Sequence, residues 1–253
     1  MPLVITPAIV LASLRYSETS KIVRLATREH GVQSGIAKGA LRPKSRFGAA
    51  LQLLSDGVAH LVVKEHRDLH LLTAFDVTRV RIGLAERLDR YAAASSLAEV
   101  MLRFAPPDPH PDSFDLLRHA LDLLEAAPEA DVEATGLRLL WALVGSLGFS
   151  PSLDTCVRDG TPLDPAGSLA FSARDGGALC AACARGQAAT LLPADARGDL
   201  VALLDPDAPL PALDDRHAAA HRRLLSRFIR FHLGEGAALP ALEFWERRPW
   251  TAA

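Results

Sequence analysis

The sequence predicts an α+β protein in which an N-terminal five-stranded barrel precedes an all-helical domain that carries a small zinc-knuckle-like insertion. Short runs of aliphatic and β-branched residues fill the front of the chain, and apolar residues recur every three or four positions over most of the rest. A Cys-x-x-Cys pair marks the insertion. We place the barrel at 1–82, the helical domain at 83–253 and the insertion at 151–190.

Five runs rich in Val, Ile, Leu and Thr predict the strands of the barrel. They cover residues 8–16, 21–27, 32–39, 57–65 and 69–77. Five strands in so short a stretch match the OB-fold, a five-stranded barrel. Pro43 cannot donate to a strand ladder, and Gly39 and Gly48 can adopt backbone angles closed to other residues, so we expect a flexible loop between the third and fourth strands.

The helical period begins near residue 86. Amphipathic runs predict four helices, at 86–104, 112–127, 132–148 and 215–234. Asp112, which follows Pro111, has the character of an N-cap.

Composition and length predict a folded chain. With 253 residues and 49% hydrophobic content, the chain can form one large domain or two smaller ones. The first 18 residues lack the pattern of a leader, and no run approaches the roughly 20 apolar residues of a membrane span. Three cysteines, two of them clustered, favour a reducing compartment. We therefore expect a soluble cytoplasmic protein.

Positive charge is concentrated at the front of the chain. The net charge is −2, but residues 1–85 hold twelve Lys/Arg and six Asp/Glu, so they carry +6 and the remainder −8. A phosphate backbone requires charge and reach rather than a sequence-specific surface, which makes this region the candidate nucleic-acid binder. The alternative interpretation is an ordinary solvated turn.

Seven cations are the candidate DNA-binding residues, four of them within nine positions of the predicted loop and three on the adjoining strands. They are Lys38, Arg42, Lys44 and Arg46 on the loop, and Arg15, Lys21 and Arg24 on the strands. Aromatic residues, which often stack on single-stranded bases, are scarce in this region, so we expect little base preference.

The cysteine segment has the spacing of a structural zinc site in three of its four positions. Cys156 and Asp159 form one half, Cys180 and Cys183 form the other, and 20 residues separate the two halves. Asp159 stands where the pattern calls for a cysteine, and a carboxylate is a rarer zinc ligand. The segment therefore predicts either one structural zinc ion or a metal-free loop that keeps the same fold.

The sequence contains none of the common nucleotide-binding or hydrolase motifs. A phosphate-binding loop, a Gly-x-Gly-x-x-Gly turn, a Gly-x-Ser-x-Gly elbow and a His-Glu-x-x-His helix are all missing. We predict no catalytic residues and no nucleotide cofactor.

The N-terminal region resembles the RecO family of bacterial recombination mediators in the order and spacing of a specific set of residues. These are Tyr16, Glu18, Ala37, Lys38, Gly39, Ser45, Arg46, Phe47, Leu51 and Gln52. The helical region, the cysteine element and a final amphipathic helix also occur in the family's order. The sequence departs from the family at Asp159, where zinc-bearing members have Cys.

This resemblance implies an OB barrel joined to a helical domain with a zinc-knuckle insertion, and no enzymatic turnover. It implies binding of single- and double-stranded DNA, annealing of complementary strands and association with the nucleoid. The implied protein partners are RecR, the acidic C-terminal tail of single-stranded-DNA-binding protein and, indirectly, RecA. The residues alone leave two alternatives, an RNA-binding OB-fold module and a metal-dependent nucleic-acid hydrolase.

The last long helix offers a second basic feature. Four of its arginines fall on one stripe, opposite Leu225, Phe228 and Ile229. They are Arg216, Arg223, Arg227 and Arg230. The stripe is either a solvated helix face or a functional surface, namely a DNA track or a cradle for the acidic tail of the single-strand-binding protein.

Overall fold

The computed structural model describes residues 2–63, 67–106, 108–234, 236 and 238–251. The chain forms two compact units, Met1–Ala126 and Ala127–Ala253. The barrel and the helices that follow it belong to the first unit. The domain boundary at residue 82 marks the end of the barrel and stays a prediction.

The N-terminal strands form a closed five-stranded barrel. They are β1 (Leu3–Arg15), β2 (Lys21–Thr27), β3 (Gly31–Ala37), β4 (Asp56–Val62) and β5 (Leu69–Arg79). The strand order around the barrel is β1-β2-β3-β5-β4, with β3 and β5 parallel and the other pairs antiparallel. The predicted OB-like barrel is therefore confirmed.

Strand alternation builds the barrel core. In β2, Val23 and Leu25 are fully buried, whereas Ile22 and Arg24, which alternate with them, are only half-buried. Val23 and Leu25 pack in one cluster with residues of all the other strands, including Leu61 and Leu72. This apolar interior needs no ligand to fill it.

Residues 38–55, between β3 and β4, form a chain of turns that we call the plug segment. Its Phe47 and Leu51 are 2% exposed and belong to the barrel core. Gly39 and Gly48 have positive φ angles of 74° and 46°, as the glycines of a turn-rich segment allow. The absence of a strand here is confirmed. The expected flexible loop is wrong, because these buried side chains anchor the segment to the barrel.

Three helices complete the first unit. They are α1 (Ile82–Ala85), α2 (Leu88–Phe104) and α3 (Pro111–Ala126). The buried side of α3 is formed by Phe114, Leu117, Leu121 and Leu124, at the three- and four-residue spacing of an amphipathic helix. The two helices predicted for this region are confirmed to within two residues at their ends.

The second unit is mainly helical and surrounds an aromatic core. Its helices are α4 (Val132–Ser146), α5 (Ala181–Ala184), α6 (Ala194–Leu204), α7 (Asp215–Leu233) and α8 (Pro240–Arg247). The Phe228 ring of α7 lies 5.1 Å from the ring of Trp141 and 6.2 Å from that of Phe171. The predictions of α4 and α7 are confirmed, whereas α6 and α8 were not predicted.

The insertion carries a small antiparallel sheet. Its strands are β6 (Leu169–Ser172), β7 (Gly177–Leu179) and β8 (Thr190–Leu192), in the order β7-β6-β8. The first cysteine-bearing turn precedes β6 in sequence, and the second lies between β7 and β8. No helix within the described part of the chain has both the length and the apolar composition of a membrane span.

Candidate functional site

Strand register brings three of the predicted cations to one end of the barrel. Arg15 is the register partner of Lys21 across β1 and β2, and Lys21 is the partner of Ala37 across β2 and β3. Lys38 follows Ala37 directly. Two neighbouring strands, and the first residue after the third strand, therefore place a cation at the same level.

The plug segment adds three more cations to this end. The backbone N–H of Leu41 donates to the carbonyl of Thr19, in the turn between β1 and β2, at 3.0 Å. Two consecutive turns follow, in which Ser45 N–H donates to the Arg42 carbonyl and Gly48 N–H to the Ser45 carbonyl, at 3.0 and 3.2 Å. Arg42, Lys44 and Arg46 are exposed on these turns. We call the six residues Arg15, Lys21, Lys38, Arg42, Lys44 and Arg46 the basic end.

Arg24 is not part of the basic end. It is the register partner of Ala12 and Ser34, three residues along β2 from Lys21. Because side chains alternate along a strand, Arg24 lies on the face opposite to Val23 and Leu25, on the outer wall of the barrel. Its Nε is buried without a hydrogen-bond partner.

Three other arginines of the first unit form ion pairs with carboxylates, unlike the basic end. Arg28 pairs with Asp115 at 2.8 Å, Arg79 with Glu125 at 2.9 Å, and Arg81 with Asp56 at 2.9 Å. Among the residues that the structure describes, no carboxylate lies within ion-pair distance of any cation of the basic end or of Arg24. Their charge is therefore available to an external anion.

The side chains around the basic end add little aromatic surface. Tyr16, in the turn after Arg15, is 61% exposed, whereas Phe47 and Phe75 are buried. The guanidinium of Arg46 lies 5.3 Å from the centre of the Phe47 ring, which holds this arginine against the barrel. Glu18 is exposed in the same turn as Tyr16 and is the nearby acid in sequence. The surface is suited to backbone contacts rather than to base stacking.

In the second unit, the two predicted knuckles meet. The ligand atoms of Cys156, Asp159, Cys180 and Cys183 all lie within 4.8 Å of one another. Asp159 Oδ2 is 3.3 Å from the Sγ atoms of both Cys180 and Cys183. Three sulfur atoms and one oxygen around a common centre can hold a metal ion.

Backbone hydrogen bonds shape each knuckle. Gly160, with a φ of 73°, turns the chain so that its N–H donates to the Cys156 carbonyl at 2.9 Å. The Thr161 N–H donates to Asp159 Oδ1 at 3.0 Å, which leaves Oδ2 facing the sulfurs. In the second knuckle, the Cys183 N–H donates to Cys180 Sγ at 3.4 Å, at the start of α5.

The electrostatics of this cluster fit a cationic guest. The N–H of Thr161 and the thiol of Cys156 hold the pKa of Asp159 far below its usual range, so the carboxylate is ionised. The negative Asp159 in turn raises the pKa of the Cys183 thiol to about 12. Burial raises the pKa of Cys156, but backbone N–H groups, first that of Cys180, outweigh burial and the net shift is downward. A divalent cation would relieve this crowding of anionic ligands.

The four arginines predicted as a stripe all lie on α7, opposite a buried apolar side formed by Leu225, Phe228 and Ile229. Arg216, Arg223 and Arg227 are exposed. Arg230 differs, because its Nη2 forms an ion pair with Glu246 Oε2 of α8 at 2.8 Å. Arg230 is therefore not a free cation.

A cleft lies beside this stripe. Its volume is about 560 Å³, and it is lined by Ser172, Ala173, Arg174, Asp175, Gln187, Ala188, Arg227, Arg230 and Phe231. Phe231 is 42% exposed, and the only acid of the lining, Asp175, is paired with Arg158 at 3.0 Å. Arg174 and Phe231 were not predicted from the sequence. The available signal for Phe231 was its position: it follows Arg230 and does not belong to the apolar side of α7.

Two family models match the chain in sequence order. The model described as "Recombination protein O N terminal" matches residues 1–81, and "Recombination protein O C terminal" matches residues 85–240. The chain belongs to the RecO family. This membership agrees with the resemblance in the N-terminal motif and supports a role in DNA repair and recombination.

Relatives of this RecO chain are similar over most of their length. DNA repair protein RecO of Anaeromyxobacter dehalogenans (strain 2CP-C) is 34% identical over 240 residues, which cover 91% of each chain. The Pelobacter propionicus protein of the same name is 33% identical over 238 residues, with 94% of each chain covered. That of Rubrobacter xylanophilus is 38% identical over 178 residues, or 69% of each.

Proposed function

We propose that this RecO-family protein binds single- and double-stranded DNA through the phosphate backbone and anneals complementary strands, as a mediator rather than an enzyme. The observation that carries the proposal is the basic end, whose cations come from β1, β2 and the plug segment and have no described carboxylate partner. Such a surface binds a polyanion with release of counterions.

Annealing follows from where the contacts fall. Two complementary strands repel each other through their phosphates, and a row of fixed cations that neutralises both lowers this repulsion. Because Phe47 and Phe75 are buried, the bases of a bound strand meet few stacking partners and stay available for pairing. The exposed Tyr16 is positioned to stack on a single base.

The test is an annealing assay in which fluorescence transfer between labelled complementary strands reports their pairing. The strands are used naked and coated with single-stranded-DNA-binding protein. The variant changes Lys38, Arg42, Lys44 and Arg46 to Ala. A control removes four exposed arginines outside the basic end, namely Arg103, Arg118, Arg185 and Arg247. We expect annealing to be lost in the first variant and retained in the control. Equal annealing by both variants would refute the assignment.

The two alternatives from the sequence are separable from this proposal. RNA phosphates carry the same charge as DNA phosphates, so the basic end by itself does not choose between the two. A competition assay between RNA and single-stranded DNA of equal length tests the RNA-binding alternative. The hydrolase alternative has less support, because the cysteine cluster supplies four protein ligands and a catalytic metal needs an open position. A cleavage assay with and without chelator tests it.

We also propose that Cys156, Asp159, Cys180 and Cys183 hold one structural zinc ion. The donor set fits, since thiolates and a carboxylate are zinc ligands and the four groups belong to two turns, one before β6 and one between β7 and β8. When bound, zinc would cross-link the two knuckles and stabilise the insertion.

For partners, we propose that the acidic C-terminal tail of single-stranded-DNA-binding protein binds the cleft beside α7. Arg174 and Arg227 supply charge for the tail's carboxylates, and Phe231 supplies an apolar contact. The acid of the cleft, Asp175, is already neutralised by Arg158. We expect Arg227→Ala and Phe231→Ala to weaken binding of a labelled tail peptide in fluorescence anisotropy, and Arg185→Ala to leave it unchanged.

RecR and RecA are proposed as partners because the chain belongs to the RecO family. We propose that the chain joins RecR and helps to load RecA onto DNA coated by the single-strand-binding protein, in the cytoplasm and in association with the nucleoid. A RecA-loading assay on coated DNA, with and without RecR, tests this step.

A further inference from the structure

Arg158 connects the cysteine cluster to the cleft beside α7. It belongs to the first knuckle, between Cys156 and Asp159 in sequence. Its Nε donates to Asp175 Oδ1 at 3.0 Å, and its Nη2 donates to Asp175 Oδ2 at 3.1 Å. The same Nη2 donates to Gln187 Oε1 at 3.2 Å. Asp175 and Gln187 both line the cleft, so one residue of the first knuckle holds two side chains of the cleft.

The second knuckle continues directly into the wall of the cleft. Gln187 follows Cys183 by four residues, and its N–H donates at 3.1 Å to the carbonyl of Ala184, the last residue of α5. The turn that carries Cys183 therefore also places Gln187. Because Arg158 belongs to the first knuckle, its contact with Gln187 joins the same two turns that the four candidate metal ligands join.

Asp175 decides whether the cleft suits an acidic guest. It is the only acid among the described residues of the lining. A hydrogen bond from the Ser172 hydroxyl, and also the contacts with Arg158, lower the pKa of Asp175, so its carboxylate is ionised near pH 7. The side chain is 20% exposed, so solvent only partly screens this charge. Paired with Arg158, the carboxylate is neutralised, whereas a free carboxylate would repel the carboxylates of a guest.

The other charges of the cleft depend on the same pair. Arg230 already has a carboxylate partner, so Arg174 and Arg227 are the cations of the lining that remain for a guest. Arg174 is the direct neighbour of Asp175 and interacts with it electrostatically. If Arg158 moved away, Asp175 would offset part of this positive charge. The attraction of the cleft for an acidic peptide would then fall.

We propose that metal occupancy of the cysteine cluster regulates the cleft, because a bound ion keeps Arg158 where it neutralises Asp175. This inference rests on the proposed zinc site and on the proposed binding of an acidic tail. When an ion cross-links the two knuckles, Arg158 stays within reach of both Asp175 and Gln187. Without the cross-link the two turns separate more easily, and the cleft regains a free carboxylate. The two sites are thereby coupled, and such coupling is reciprocal.

The experiment measures binding of the labelled acidic tail peptide to the full chain by fluorescence anisotropy. The protein is either loaded with one equivalent of zinc or stripped with a chelator that is then removed by dialysis. We expect the stripped protein to bind the peptide at least about fivefold more weakly than the loaded protein. Zinc added back should restore the affinity. Circular dichroism checks that the stripped protein is folded.

Two variants test the route through Arg158. Asp175→Asn should bind the peptide equally well with and without zinc, because no carboxylate charge remains to be released. Zinc-loaded Arg158→Gln should bind it at least about fivefold more weakly than zinc-loaded wild type. The double variant should recover most of this loss, since the charge that Arg158 neutralises is gone. The two side chains are 35% and 20% exposed, so folding should survive both changes.

The matched control is Arg185→Gln. Arg185 follows Cys183 by two residues, just as Arg158 follows Cys156. It is exposed, however, and has no carboxylate partner in the described part of the chain. The control should bind the peptide, and respond to zinc, as the wild type does.

Reciprocity gives a second readout. Saturating peptide should raise the affinity for zinc, measured by competition with a chelating dye, by the same factor by which zinc raises the affinity for the peptide. Equal peptide affinity of loaded and stripped wild type would overturn this inference alone, and so would a zinc effect that persists in Asp175→Asn. A protein that binds no zinc, or a loaded wild type that does not bind the peptide, would overturn the corresponding part of the proposed function and this inference with it.

Discussion

Arg81 and Asp56 form a bidentate ion pair in the interior of the first unit. Arg81 Nη1 donates to Asp56 Oδ1 at 3.0 Å and Nη2 to Oδ2 at 2.9 Å, and the Arg81 side chain has no solvent exposure. The same guanidinium donates to the carbonyl of Leu54, at the end of the plug segment, and to Asp122 on α3. One side chain therefore joins the barrel, the plug and a helix.

We predict that Arg81→Met destabilises the protein strongly. Removing the arginine leaves Asp56 charged and buried without its partner, and breaking such a pair costs about 3–5 kcal/mol. Arg79→Met is the control, because Arg79 also binds carboxylates but its side chain is 47% exposed, and exposed pairs contribute about 1 kcal/mol or less. Urea denaturation followed by circular dichroism measures both. Equal losses of unfolding free energy in the two variants would contradict the interpretation that Arg81 links the barrel, the plug segment and α3 through buried contacts.

Salt dependence should identify the cations that bind phosphates. If about six phosphates are neutralised, affinity for double-stranded DNA should fall roughly a thousandfold between about 50 and 200 mM salt. Each of Lys38→Ala and Arg42→Ala should reduce the slope of log affinity against log salt by about 1. Arg28→Ala is the control, since Arg28 is paired with Asp115. A slope that responds equally to all three changes would argue against the basic end.

Metal affinity should follow the identity of residue 159. Asp159→Cys should bind zinc more tightly than the wild type, because thiolate is the commoner ligand of structural zinc, and Asp159→Asn should bind it more weakly. Asp154→Asn, an exposed neighbour outside the cluster, should behave as the wild type. Competition with a chelating dye gives the affinities, and the melting temperature with and without chelator gives the stability. Indistinguishable affinities of wild type and Asp159→Asn would exclude Asp159 as a ligand.

Gly57 and Gly198 should respond in opposite ways to substitution by alanine. A Cβ on Gly57, in β4, would lie 2.6 Å from the Phe75 ring and 2.7 Å from the Asp76 carbonyl, so overpacking should cost about 1–3 kcal/mol or more. A Cβ on Gly198, in α6, would meet nothing within 4 Å, and alanine there should stabilise by up to about 1 kcal/mol. Thermal melting compares the two variants. A stable Gly57→Ala protein would show that the barrel wall can yield at this point.

Much of the fold was accessible from local patterns. The run at 21–27 is a strand with the same bounds in the structure, and the run at 215–234 is α7, which ends one residue earlier. Both patterns depend only on neighbours a few residues away. The short α8, Pro240–Arg247, was missed because eight residues hold barely two turns of helical period.

Local sequence also indicated which types of residue form the candidate sites, but it did not decide which individual residues belong to each site. Spacing alone placed Cys156, Asp159, Cys180 and Cys183 in one group, and the structure brings them together. By contrast, the sequence predicted both cations of β2 as DNA-binding residues. Strand pairing places Lys21 at the basic end and Arg24 on the outer wall.

The sequence by itself determined the positive excess at the front of the chain, the change from strand to helix period and the spacing of the cysteines. Only the tertiary structure decided which charges are free. Arg28 finds Asp115 across 87 positions and Arg222 finds Glu133 across 89, whereas the cations of the basic end meet no described carboxylate. Charge is a property of each residue, but neutralisation depends on a partner that the chain brings near only when it folds.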